Sequence, residues 1–457
     1  MMTTLTQSSL QQEQIVTFGK KIFQGIGKAQ PSAFNKNFWS GRIMEWSMLH
    51  PKFKLNMFRL VDVLPSLKSS RAISEHISEY LTEAGRDIHP LIGWATKVRP
   101  GSIRGYATAL AATKGIEQMA SQFIVGASPQ KALKALKKIR ARKLSFTVDL
   151  LGEFSVSERE ASVYVDRYLE ALKTFQAVAP HWRESAAIIP GHPGESSPVC
   201  ISVKLSALYS QCSPLNMKRS VAILTERLRA IANEAQRAQA LMYVDAEDSG
   251  NNAIIYQTFE EVFGTGDLKN YPYPGIVVQA YAKDSEALVL RLLNFAKKRG
   301  APIAVRLVKG AYWDYETITS QLNNWESPLF AHKESSDAQF EHLSKILLDN
   351  HTHCLPAFGS HNVRSLAHAC CYAESIGLTK KDFELQMLFG MADPIADTFS
   401  HEGYLVRLYA PLGDLLPGMG YFVRRLLENT SNESFLRHTF FDQDNVERLL
   451  RQPQHQG

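Results

Sequence analysis

The stretch LSFTVDLLGE, residues 144–153, is where the character of this chain changes. It is short, rich in β-formers and apolar for most of its length, and it ends in acids. Immediately before it, at 131–143, lies KALKALKKIRARK, with seven basic residues and no acid. Ala132, Leu133, Leu136 and Ile139 recur there at three- and four-residue spacing, which predicts an amphipathic helix with a basic outer face. Seven similar β-rich runs follow: CISVKLSAL, LMYVDAE, GIVVQAYA, PIAVRLVKG, HCLPAFGS, FELQMLFG and YLVRLYAP. They begin near residues 200, 241, 275, 302, 353, 383 and 404. Most are continuous apolar runs, as expected for strands covered on both faces. Helices lie between them. Ser157-x-x-Glu160 reads as a capping box, and Glu286 to Arg299 closes on two lysines, an arginine and Gly300.

About eight strand–helix units in succession predict an α/β fold, a (β/α)8 TIM-type barrel. The competing fold is an open doubly wound sheet. It lacks its usual phosphate loops here: no G-x-G-x-x-G follows the first strand, and no G-x-x-x-x-G-K-[ST] occurs. Upstream of 144 the pattern is helical, at 38–67, 72–81 and 107–123. The expected organisation is a helical N-terminal arm and helical domain at 1–140, the barrel at 141–435 and a C-terminal tail at 436–457.

The 457 residues carry 51 Lys+Arg against 45 Asp+Glu, a net charge of +6, with 45% hydrophobic and 21% charged residues. This is globular composition, not that of a disordered chain. The basic run alone carries +7, so the rest is close to neutral. Its plain reading is a solvated face or a dock for an acidic surface; contact with anionic lipid is the alternative. The five cysteines (Cys200, Cys212, Cys354, Cys370, Cys371) form no Cys-x-x-Cys. That excludes a disulfide framework or a structural zinc site and points to a reducing compartment. There is no bilayer-spanning apolar run and no signal-peptide layout. The expectation is a cytoplasmic protein, at most peripheral at the inner face of the membrane, with no metal.

In a barrel, chemistry gathers where the strands end. Unusual polar groups stand there: Asp149 and Glu153, Lys204, Asp245 and Glu247, Gln279 and Tyr281, Arg306 and Lys309, then Gly359, Ser360 and His361, Gln386, and Tyr409. A single charge in an apolar strand is most often a satisfied ion pair. Repetition on nearly every strand predicts a polar pocket with both charge signs, suited to a charged, hydrogen-bonding ligand such as a cofactor with an amino acid. The last helical stretch, GMGYFVRRLLEN at 418–429, sets Tyr421 beside Arg424 and Arg425, with Glu428 placed to hold them. Paired guanidinium forks match a carboxylate or phosphate.

These motifs resemble the flavin-dependent proline dehydrogenases, above all the proline dehydrogenase half of the bifunctional proline utilization A proteins. The resemblance is carried by LVKGAYWDYE (307–316), FGSHN (358–362), RLYAPLG (407–413) and YFVRRLLEN (421–429). DLLGE (149–153), VKLSAL (203–208), VDAE (244–247) and VVQAYA (277–282) fit in the same order. FWSGRIMEW and FRLVDVLP resemble that family's segment before the barrel, so the likeness runs from about 37 to about 435.

The resemblance implies a distorted barrel holding FAD. It also implies oxidation of L-proline to Δ1-pyrroline-5-carboxylate, with hydride passing to flavin N5 and electrons to a quinone, the first step of proline catabolism. Arg424, Arg425 and Lys204 would bind the proline carboxylate, with Glu428 and Asp245 holding those cations. Tyr409, Tyr421 and Leu388 would wall the ring. Arg306 would lie near flavin N5, and Gln279 would hydrogen-bond the isoalloxazine edge. Val308, Gly310, Ala311, Trp313, Lys333, Gly359, Ser360, His361, Gln386 and Phe435 complete the cofactor-binding set.

Ala331, Phe389 and Gly359 depart from the family's usual residues, chiefly on the adenine side. The N-terminal stretch is unlike the DNA-binding module that some proline utilization A proteins carry. The 457 residues do not include the aldehyde dehydrogenase half of the bifunctional proteins. A Δ1-pyrroline-5-carboxylate dehydrogenase is an expected partner. Two rivals are a flavin barrel acting on another cyclic imino acid, and a basic helical DNA- or membrane-binding module on a barrel scaffold. The second rests on residues 131–143 alone.

Overall fold

The computed structural model describes residues 2–28, 50, 52, 55–56, 59–60, 63–84, 99, 101–152, 154–184, 189–414 and 446–455. Eight parallel strands close in sequence order into a barrel: β1 (Ser145–Leu150), β2 (Cys200–Val203), β3 (Leu241–Val244), β4 (Gly275–Gln279), β5 (Ile303–Val308), β6 (Cys354–Gly359), β7 (Glu384–Leu388) and β8 (Val406–Leu412). Each lies within the run predicted for it, except that β8 continues one residue further, to Leu412. The open-sheet alternative is excluded, because β8 pairs back onto β1 from Ser145↔Arg407 to Leu150↔Leu412.

The alternation along the strands separates two environments. Phe146, Val148, Ile201, Val203, Val305, Leu307, Leu385 and Leu408 belong to the large apolar core shared with the surrounding helices. Their neighbours Thr147, Ser202, Tyr243, Arg306, Glu384, Gln386 and Arg407 are buried as well. They bond across the barrel, so they fill its lumen. Period-two alternation puts these residue types on opposite faces of one sheet.

Before the barrel come α1 (Met2–Lys28), α2 (Ser70–Ala84), α3 (Ile103–Ala120) and α4 (Pro129–Ala141). Helix α4 is the predicted amphipathic helix: Ser128 caps it, and Ala132, Leu136 and Ile139 are buried. Two of the basic residues in its run are already paired with the barrel, Arg140 to Glu195 at 3.3 Å and Arg142 to Asp397 at 2.8 Å. Lys131, Lys134, Lys137, Lys138 and Lys143 are exposed.

The outer ring contains α5 (Glu158–Glu184), α6 (Met217–Arg237), α7 (Asn252–Phe263), α8 (Ser285–Arg299), α9 (Trp313–Leu322), α10 (Lys333–Asp349), α11 (Val363–Ser375) and α12 (Asp393–His401). The predicted box holds at α5, where Ser157 Oγ accepts from Glu160 N at 3.2 Å and Glu160 reaches Val156 N at 2.9 Å. Helix α8 ends at Gly300 in the left-handed conformation, φ 77°. Helix α1 lies on α11 and α12: Ile15 packs with Ala367 and Cys371. Arg364 of α11 holds Gln12 at 2.7 Å and the Leu450 carbonyl at 3.2 Å. The five cysteines are all free.

Candidate active site

Residues from five strands converge on one buried cluster. Lys204, just past β2, donates to Asp149 of β1 and, at 3.0 Å, to Tyr409 Oη of β8. Tyr409 donates to Asp245 Oδ2 at 2.7 Å. Asp245, just past β3, accepts from Arg306 Nη1 of β5 at 2.8 Å. Two cations thus face two carboxylates, bridged by a phenol. Burial alone would push the Lys204 ammonium down, but Asp149, Tyr409 and Asp245 together hold it well above its ordinary value. Burial, reinforced by Asp149 and Asp245, raises the Tyr409 phenol. Lys204 is therefore a fixed cation and Tyr409 a neutral donor across the physiological range.

Arg306 is held on several sides. Its Nε donates to Gln386 at 2.6 Å, its Nη1 also to Ser202 at 3.1 Å, and its face lies 4.1 Å from the Tyr243 ring centroid. Its Nη2 is buried with no partner among the described residues. Deeper in the lumen, Arg407 and Glu384 form a bidentate pair with both contacts at 2.9 Å. Arg407 also donates to Ser145 Oγ, the Phe146 carbonyl and the Gly194 carbonyl. Gly194 is required here, because a Cβ would run into Glu384 Oε2.

A second charged group stands at the rim. Lys309 and Lys333 share one carboxylate, Asp337, with Lys333 at 2.6 Å. Burial pushes the Lys309 ammonium down to about 8 against the pull of Asp337. Two cations on one carboxylate leave a net positive charge at the mouth. Nearby, Glu316 of α9 accepts from Tyr281 Oη at 2.7 Å and Ser249 N at 3.2 Å, tying α9 to the segments that follow β4 and β3. Its Oε2 is buried and unpartnered among the described residues.

The remaining predicted residues fall as follows. Gln279 donates to the Glu247 carbonyl at 2.8 Å. Leu388 is half-buried, and its N–H donates to His361 Nε2 at 3.0 Å. Val308 and Gly359 are register partners on β5 and β6. Gly310, at φ 135°, lies against the Tyr281 ring with no room for a Cβ. Ala311 is exposed, and Trp313, 39% exposed, donates to the Phe330 carbonyl at 2.9 Å. Ser360 N donates to the Gln386 carbonyl at 3.1 Å, while Asn362 caps α11. Arg424, Arg425, Tyr421, Glu428, Phe435 and Glu153 lie outside the described residues.

The sequence reading assigned no role to Ser202, Tyr243, Glu316, Asp337, Glu384 or Arg407, and noted Asp149 only as a strand-end acid. The available signal was a charge inside an apolar strand, which Asp149, Glu384 and Arg407 all carry. Among the described residues, no group of three or more His, Cys, Asp or Glu could hold a metal ion.

Fold and lumen together define the class: a (β/α)8 barrel with a buried charged cluster at the C-terminal ends of its strands. The proline dehydrogenase family model matches residues 132–438, and that of the proline utilization A N-terminal domain matches residues 12–123. The chain belongs to the proline dehydrogenase family. The bifunctional protein PutA of Escherichia coli (strain K12) is 29% identical over 334 residues, covering 71% of this chain and 24% of that protein. Proline dehydrogenase 1 of Bacillus subtilis (strain 168) is 26% identical, covering 72% of this chain and 93% of that protein. The crystal structure of proline utilization A from Bdellovibrio bacteriovorus, inactivated by N-propargylglycine, superposes with a TM-score of 0.87 at 42% identity. It covers 97% of this chain and 44% of that one. The chain thus spans about a quarter of the length of the Escherichia coli protein.

Proposed function

We propose that this protein uses FAD to oxidise L-proline to Δ1-pyrroline-5-carboxylate and passes the electrons to a quinone. The observation that carries this reading is the buried Lys204–Asp149–Tyr409–Asp245–Arg306 cluster at the strand ends. It is a buried set of mutually paired charges that orients rather than reacts, as expected where a cofactor does the chemistry.

The mouth fits a flavin dinucleotide. Arg306 Nη2, unpartnered among the described residues, offers two N–H donors to an electron-rich acceptor. The positive excess at Lys309 and Lys333 suits a pyrophosphate. Arg306, Gln279, Val308, Gly310, Ala311, Trp313, Lys333, Gly359, Ser360 and His361 would hold the cofactor, with Phe435 as a further contact; Gln386, expected in the same set, has its amide engaged by Arg306 and Glu384. When bound, the flavin supplies the acceptor for a hydride from the proline ring carbon next to nitrogen.

The protein's own residues bind and orient. Lys204 presents a fixed cation to the proline carboxylate, and Tyr409 and Leu388 wall the ring. The described cluster is already balanced, two cations against two carboxylates. A substrate carboxylate therefore needs further positive charge. Arg424 and Arg425, with Glu428 to hold them and Tyr421 beside them, would supply it and exclude water on closing. The carboxylate clamp on one side and the aromatic wall on the other set the C–H toward the cofactor.

Quinone use implies work at a membrane surface. The proposed contact is peripheral; no helix among the described residues is long and apolar enough to cross a membrane. A Δ1-pyrroline-5-carboxylate dehydrogenase would consume the product.

The test is spectroscopic. The purified chain is expected to be yellow, and its flavin band to bleach when L-proline is added without oxygen. A flavin-loaded protein that L-proline leaves oxidised would overturn the reading; bleaching by another cyclic imino acid alone would redirect it. Arg424→Ala and Arg425→Ala should each raise KM for proline strongly while flavin content holds. Unchanged proline kinetics in both would remove those residues from the site.

A further inference from the structure

We infer that Gln386 and Glu384 are positioning residues: they fix the guanidinium of Arg306, and through it the electron affinity of the flavin. The inference rests on the cofactor reading above and concerns residues that need not touch the cofactor.

A glutamine amide has a donor end and an acceptor end of nearly the same shape, so its neighbours decide which way it faces. Here Glu384 decides. Its carboxylate is locked by Arg407 in a bidentate pair, which holds the group ionised against the opposing effect of burial. An ionised carboxylate only accepts. Gln386 Nε2 donates to Glu384 Oε1 at 2.5 Å, and Gln386 Oε1 is thereby turned to Arg306 Nε, 2.6 Å away. Reversing the amide would set two donors against each other at Arg306 and two acceptors against each other at Glu384.

The chain Arg407–Glu384–Gln386–Arg306 therefore transmits polarity from the floor of the lumen to its mouth. Asp245 and Ser202 take Nη1, and Tyr243 covers the guanidinium face. With Nε also taken, Nη2 is left without a partner among the described residues and is free to meet a ligand. A cation locked beside a redox group favours electron uptake by it, and the benefit depends on position, because the interior screens charge weakly. Glu384 and Gln386 act through Arg306, so neither is a catalytic residue in this scheme.

The experiment uses the flavin-loaded chain and two variants. Gln386→Met keeps the length of the side chain without its polarity; Gln386→Asn keeps the polarity without the reach. In each, the cofactor's preference for the reduced state is expected to fall about tenfold, or about 30 mV for a two-electron couple. The kcat should fall by a similar factor, with KM for L-proline changing less than about threefold. A purely structural role would lower the melting temperature and leave the potential in place. A folded, flavin-loaded variant with an unchanged potential overturns the inference. If neither variant folds, a crystal structure of the flavin-loaded wild-type chain decides. Gln386 Oε1 kept on Arg306 Nε supports the inference, and a Gln386 amide turned onto the flavin ends it. Wild-type protein that binds flavin but ignores L-proline would sink the substrate reading alone, since the potential shift can be measured without substrate.

Discussion

Two arginines sit in the lumen of the same barrel, and they are treated in opposite ways. Arg407, on the floor, has all five N–H donors placed: two on Glu384 and one each on Ser145, Phe146 and Gly194. Arg306, higher up, has three placed, on Gln386, Ser202 and Asp245, and keeps its Nη2 group unpartnered among the described residues. A buried donor without a partner costs about 1–3 kcal/mol. The floor avoids that cost and the mouth does not. A fully satisfied buried charge is a structural plug, whereas a held charge with spare donors is prepared for a ligand.

The comparison is open to test, the largest effect first. Arg407→Met leaves Glu384 buried without its cation, and breaking such a pair typically costs about 3–5 kcal/mol. Urea unfolding of the variant should show that loss; a change below about 1 kcal/mol would remove the distinction between floor and mouth. Lys204→Met strikes the mouth instead. Its kcat/KM for L-proline should fall at least about a hundredfold, roughly 2.7 kcal/mol of transition-state binding, with a smaller stability loss than Arg407→Met. Steady-state kinetics beside an unfolding curve separate the two.

A third expectation concerns the rim. Lys309 is pushed down to about 8 by burial, aided by Lys333 and opposed by Asp337. The pyrophosphate of the proposed cofactor would bind its protonated form, so binding would take up a proton above that pKa. FAD affinity should therefore hold below pH 8 and weaken roughly tenfold from pH 7 to 9. Lys309→Met should flatten that slope; titration of apoprotein with FAD at several pH values measures it. Lys204, raised well above its usual value, contributes no slope in this window. The smallest effect belongs to Tyr409→Phe. It loses the hydrogen bond to Asp245 and the one from Lys204, and should cost about 1 kcal/mol of stability, read by the same unfolding assay.

Much of the fold was legible beforehand. The eight strands announced themselves as short apolar runs because both of their faces are buried, one against helices and one in the lumen. The (β/α)8 order followed from their alternation with capped helices, such as Ser157 to Glu160 and the stop at Gly300. Lys204, Asp245, Arg306 and Tyr409 stood out as polar residues in apolar surroundings, and the structure gathers them into one cluster. Glu384 and Arg407 carried the same signal and were passed over. Nothing local distinguishes a charge at the floor of a barrel from one at its mouth. The attachment of α1 to α11 through Gln12 and Arg364 had no signal either, because it joins residues 352 positions apart.

The sequence by itself determined the strand count, the parallel barrel and the residue types available at the strand ends, since these follow from short-range periodicity and from the cost of burying charge. Only the tertiary structure decided which carboxylate each cation meets. Closing β8 onto β1 brings Tyr409 to Asp245 and Lys204 across the lumen, and it sets Gln386 between Glu384 and Arg306. Those pairings depend on register and barrel closure, which are properties of the whole sheet and are written in no single strand.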